Sequence, residues 1–149
     1  MNIFDLINAN FANITSPVYV GGELTADKDT RYGFTIVGAD SPQYLTESDR
    51  QRNEGQEYRR AANKGDVPKL DAETAEGQAV IQARVQANLT AIALAVTTGW
   101  FGFTDASGAT VPYSSDLAAA MFAKKRAWRD AVIAAIDEDK RFLPQPVKG

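Results

Sequence analysis

The charged clusters are the stretches whose residue types could do chemistry. Asp137-Glu138-Asp139 sets adjacent carboxylates beside Lys140 and Arg141. Carboxylates can share a proton or hold a divalent cation, but cation binding needs oxygens spaced by a loop, as in a calcium hand with its glycine and terminal glutamate. That spacing is missing, so the cluster reads as a solvated turn after a helix. Asp27, Asp29 and Asp40 are scattered. Lys124-Lys125-Arg126 could meet a phosphate, but a short basic run without interleaved aromatics is too little to argue nucleic-acid binding. The chain has no histidine and no cysteine. That removes the commonest general base, the commonest metal ligand and any thiolate nucleophile. Gly21-Gly22 is followed by no Gly-Lys-Ser/Thr, so it is a turn device and not a phosphate loop. No catalytic constellation emerges. The expectation is a protein that is not an enzyme and takes no cofactor or metal.

The bulk numbers bound the rest. A chain of 149 residues is expected to form one domain with a real core. A net charge of −3 leaves no global footprint for nucleic acid or anionic membrane. No uninterrupted apolar run approaches the roughly 18 residues of a membrane span. Met1-Asn2-Ile3-Phe4-Asp5 lacks the basic flank of a signal peptide.

The elements read in order as follows. Ile3, Phe4, Leu6, Ile7, Phe11 and Ile14 fall at helical spacings and suggest a short arm. Val18-Tyr19-Val20 and Phe34-Thr35-Ile36-Val37 are rich in branched and aromatic residues, as strands are. Gly21-Gly22 and the polar stretch 25–30 join them as a hairpin. An isolated hairpin is marginal in water, so this one must pack on a helix, gain a strand or pair with another chain. Asp40-Ser41-Pro42 is a helix start. The helix predicted over 42–63 is polar, with intrahelical charge pairs, and is expected to bend or end at Gly55. Asn63 to Leu70 reads as a linker. Asp71 then caps a long helix over 72–98, whose Ile81, Val85, Leu89, Ile92 and Val96 lie on one face. This helix is expected to be the spine of the core.

From Trp100 to Leu143 the chain is densely aromatic, with both tryptophans and four of the seven phenylalanines. Trp100 to Phe103 and Ala109 to Val111 flank Asp105-Ala106-Ser107-Gly108 as a very short hairpin or tight loop. Ser114 or Ser115 caps a helix whose Leu117, Met121 and Phe122 form one apolar face. Lys124-Lys125-Arg126 breaks the pattern, and a second helix carries Trp128, Val132, Ile133 and Ile136. The predicted fold class is α+β, mainly α: a small helical domain with an N-terminal β-hairpin and a long central helix. The expected divisions are 1–38 as arm and hairpin, 39–70 as polar helix and linker, 71–143 as helical core, and 144–149 as a flexible tail.

Thr98-Gly99-Trp100, the Asp105–Gly108 turn, Pro112-Tyr113-Ser114, the two short helices and Arg141-Phe142-Leu143 together resemble the tail assembly chaperones of long-tailed (siphophage-like) bacteriophages. Gly38-Ala39-Asp40-Ser41-Pro42-Gln43-Tyr44, following a strand, matches more weakly. The resemblance implies a non-catalytic role: coating and solubilising the helical tape measure protein in the host cytoplasm before tail tube subunits polymerise around it. It also implies absence from the mature virion. A longer, frameshifted form of the chain and the tail tube protein are further partners it implies. An exposed apolar helix invites aggregation unless a groove covers it. Phe101, Phe103, Phe122 and Trp128 are the candidates to line such a groove. Coating a long partner takes many copies, so self-association is expected. Phe4, Ile7 and Phe11 of the arm and Val18 and Val20 of the hairpin are its candidates. Neither nucleic acid nor membrane is an expected partner. The alternative is a structural virion component, a tail completion or neck protein that stays in the particle. A small regulatory binder would need a clearer basic face.

Overall fold

Alternation along the first strand sets the architecture. In β1 (Thr15–Gly21) Ser16 and Val18 are buried while Pro17 and Tyr19 are exposed, the period of a half-buried strand. β2 (Tyr32–Val37) pairs with β1 antiparallel, with Val18 opposite Phe34. β3 (Thr97–Phe101) pairs with the other side of β2, with Trp100 opposite Phe34. The hairpin thus meets its need for support twice, through a third strand and through helices on one face. These elements come from a computed structural model that describes residues 2–144. The part of the expected flexible tail beyond Pro144 lies outside the described residues.

The sheet order is β1-β2-β3. The helices are α1 (Ile3–Asn8), α2 (Pro42–Asn63), α3 (Ala75–Val96), α4 (Ser115–Lys124) and α5 (Arg126–Ile136). The fold is α+β and mainly α, as the sequence predicts. Val18, Phe34, Ile36 and Val37 of the sheet share one buried cluster with Ala93 and Val96 of α3, Ala118 and Phe122 of α4, and Val132, Ala135 and Ile136 of α5. Phe34 and Phe122 are wholly buried and their rings lie 4.9 Å apart. Full burial of such a side chain stabilises by roughly 1.5–3 kcal/mol. The hairpin and the 71–143 segment therefore build a common core and are not separate units.

α2 starts where Ser41 caps it and Pro42 opens its first turn. It runs through Gly55 to Asn63, so the glycine neither ends it nor shortens it. Its surface carries the pairs Glu47–Arg50, Arg50–Glu54 and Asp49–Arg52, the intrahelical ladder that the charge spacing predicts. α3 starts later than expected, at Ala75, because the Thr74 hydroxyl takes the cap and accepts from the Gly77 amide at 3.0 Å. Asp71 instead accepts from the Glu73 amide in the preceding turn.

α3 is not the spine of the core. Only Ala93 and Val96, at its C-terminal end, are buried. Val85 is exposed, and Ile81, Leu89 and Ile92 are half-buried. The reason is its neighbour: α2 has no buried residue to offer, so the two helices meet through polar groups. Gln51 donates to the Asn88 carbonyl at 3.0 Å and the Arg84 guanidinium lies 4.5 Å over the Tyr58 ring, while Tyr58 also donates to the Pro68 carbonyl of the α2–α3 connection at 2.6 Å. By length and composition α3 is apolar enough to cross a membrane, with a mean hydropathy of 1.4 over its best window. Gln82, Arg84, Gln86 and Asn88 interrupt what would otherwise be an apolar run.

Candidate partner-binding groove

Thr97 and Thr98 are β-branched, and the chain passes from α3 straight into β3 there. That junction delivers Trp100 to the sheet face that carries Phe34, and Phe101 to the opposite face. Strand alternation would next turn Phe103 outward. Gly102 prevents this: at φ 77° it takes the left-handed conformation that glycine tolerates. A Cβ there would also strike the Arg31 carbonyl and Tyr32. Phe103 folds back beneath the sheet edge, 5.3 Å from the Trp100 ring and 5.9 Å from Trp128.

The loop that follows is pinned from both ends. The Asp105 carboxylate accepts from the Ser107 hydroxyl at 2.6 Å, the Ser107 amide at 2.8 Å and the Ala109 amide at 3.1 Å. The Ser107 hydroxyl bond leads in holding this carboxyl below its usual range, and the loop amides add to it. Thr104 and Thr110 form a bridge, so the predicted short hairpin is present. The Trp100 indole N–H donates to the Val111 carbonyl at 2.7 Å, and the Tyr113 hydroxyl donates to the Thr97 carbonyl at 3.2 Å. Burial pushes the Tyr113 phenol up.

These constraints leave an open apolar groove of about 380 Å³ between the loop and the two short helices. Trp100, Phe103, Val111, Leu117, Met121 and Trp128 form its walls. Leu117 is 47 % exposed. Among the described residues, the charged ones in its lining are Lys124 and Lys125, where α4 gives way to α5. The Lys125 ammonium lies 5.7 Å from the centre of the Trp128 ring. The groove is thus apolar on its floor and cationic at one side. Its size falls near the lower limit of ligand clefts, roughly 300–1,000 Å³.

Of the four residues predicted to meet a partner, Phe103 and Trp128 line this groove. Phe122 does not: it is wholly buried beneath it against Phe34. Phe101 does not either, because its ring packs edge-on to Tyr19, 5.4 Å away, on the other face of the sheet. Sequence reasoning missed Trp100 and Val111 as walls, and it also missed Leu117 and Met121. The latter two share a predicted apolar face with Phe122, but the face divides. Ala118 and Phe122, four apart, enter the core, while Leu117 and Met121, also four apart, wall the groove.

The self-association candidates divide as well. Phe4 and Ile7 are 68 % and 69 % exposed. Phe11 is half-buried and borders a small cleft with Ile136 and Phe142. Val18 belongs to the buried core, and Val20, half-buried, packs against it. The free edge of β1 is partly occupied: Arg141 donates to the Pro17 carbonyl at 2.7 Å. Elsewhere, Asp137-Glu138-Asp139 lies exposed at the end of α5, with Glu138 paired to Arg141 at 2.6 Å. Compared with protein-family models, characterised proteins and solved structures, the chain matches none of them.

Proposed function

We propose that this chain is a non-catalytic tail assembly chaperone of a long-tailed bacteriophage. It holds apolar helical segments of the tape measure protein in solution until the tail tube assembles around them. The observation that carries the reading is the open groove walled by Trp100, Phe103, Leu117, Met121 and Trp128. An apolar concavity of this kind suits the exposed stripe of an amphipathic helix, and the aromatic residues are of the types that dominate binding hot spots. Lys124 and Lys125 at the side favour a helix with acidic residues flanking its stripe. The resemblance of 98–143 to such chaperones points the same way.

The test is co-expression with the tape measure protein. The chain as it stands should raise the soluble fraction of that protein, and Leu117→Asp should abolish the gain. Leu117 sits in the first turn of α4, half exposed, where a carboxylate suits the helix dipole, so the variant keeps its fold. Leu24→Asp, at an exposed apolar residue of the β1–β2 connection, should behave like the unaltered chain. Equal solubility of the tape measure protein with and without the chain would end the reading.

A further inference from the structure

We infer that the groove of one copy is occupied, between clients, by α1 of a second copy, so that the chains link head to tail. This does not depend on which protein the groove serves.

Among the described residues, α1 and the groove each present an unpartnered apolar surface, and the two match in character. α1 exposes Ile3, Phe4 and Ile7, at 63 %, 68 % and 69 %, and none of its residues is buried. Ile3 and Ile7 are one turn apart with Phe4 beside them, so the three share a helical stripe. The groove is an open apolar trough of about 380 Å³. Left open, either surface is an aggregation hazard.

Charge agrees with shape. Asp5 is the only charged residue of α1, and among the described residues the charged ones lining the groove are Lys124 and Lys125. An arm seated by Phe4 and Ile7 would carry that carboxylate toward the two ammonium groups.

The arm does not lie in its own groove: Ile3, Phe4 and Ile7 are exposed, and no residue of α1 is in the groove's lining. Phe11, at the root of the arm, borders a cleft with Ile136 at the end of α5, whereas Trp128 lies in the first turn of α5. Those two positions are separated by about 12 Å of helix, at 1.5 Å per residue. Arm and groove therefore sit toward opposite ends of α5. Joining one to the other across copies gives a heterologous interface, which propagates into a ring or an open filament rather than stopping at a dimer. A client helix and a neighbour's arm then compete for the same trough.

Sedimentation velocity on the full chain tests this with two variants. The unaltered protein should exceed its monomer mass of 16.1 kDa as concentration rises. The double variant Phe4→Ser and Ile7→Ser keeps its groove but has lost its arm. It alters only exposed residues, so its far-UV circular dichroism should be unchanged, and it should stay monomeric. Leu117→Asp, with its arm intact and its groove spoiled, should also stay monomeric. Mixed together, the two should form a one-to-one heterodimer and nothing larger, because a single competent arm meets a single competent groove. An unaltered chain that remains monomeric at every concentration would overturn the inference. So would an oligomer that survives loss of the arm, or a mixture that fails to pair. The arm variant should still solubilise the tape measure protein, so failure of the oligomer and failure of the client reading are seen separately.

Discussion

The Ser41 hydroxyl is wholly buried and serves two backbone groups at once. It donates to the Gly38 carbonyl at 2.7 Å and accepts from the Tyr44 amide at 3.2 Å. Ser41→Ala removes the cap of α2 and a buried hydrogen bond, and should cost about 1–2 kcal/mol. A thermal melt should show a fall of roughly 2–8 °C. Asp105 is a different case because it is fully exposed, and its effect is local. Its carboxyl lies below the usual range, led by the Ser107 hydroxyl bond. A depressed folded value means that the loop's support is complete above the unfolded carboxyl value, about 3.9. It is lost as pH falls through the lower folded value. The amide resonances of Ser107 and Ala109 should hold steady from pH 7 to about 4 and move only below that. Movement near pH 6 would contradict the assignment. Both devices are legible in the sequence, since a serine before a proline and an aspartate before a Ser-Gly turn act through local bonds. The fates of Phe101 and Phe122 are not legible in the same way. Their side chains are fixed by which neighbours cover them, and local spacing carries no information about that.

Among the elements, β3 and the turn after it decide whether a groove exists. Gly102 reverses the outward alternation and sends Phe103 to the Trp100 side. Gly102→Ala forces a side chain into the left-handed region and against the Arg31 carbonyl. It should destabilise by about 2 kcal/mol or more and should release Phe103. Trp100 and Trp128 fluorescence would report the opened groove as a red shift, and an unshifted spectrum with an unchanged melt would refute this role. The sequence predicts the hairpin 17–38, the helix 42–63 and the two short helices close to where they lie. It misplaces the importance of α3. A repeating apolar face on a long helix normally signals a core, but burial needs a partner face, and α2 supplies only polar contacts and a thin stripe. The division of the α4 face into a core half and a groove half has the same cause. Leu117, Met121 and Phe122 look alike in sequence, and the sheet covers only one of the two four-residue rows.

At the scale of the molecule, the core occupies one face of a three-stranded sheet, and α1 and most of the α2–α3 pair lie outside it. The exposed arm and the groove lie toward opposite ends of α5, an arrangement suited to linking copies head to tail until a client takes the groove. As a transient chaperone, the chain would meet the tape measure protein in the cell and be gone from the finished tail. The most direct measurement is to tag the chain in cells producing the phage, identify by mass spectrometry what co-purifies, and search purified particles for the same chain. The expected result is recovery of the tape measure protein from cells and no trace of this chain in particles. Stoichiometric presence in particles would contradict it and make the chain a structural component of the virion.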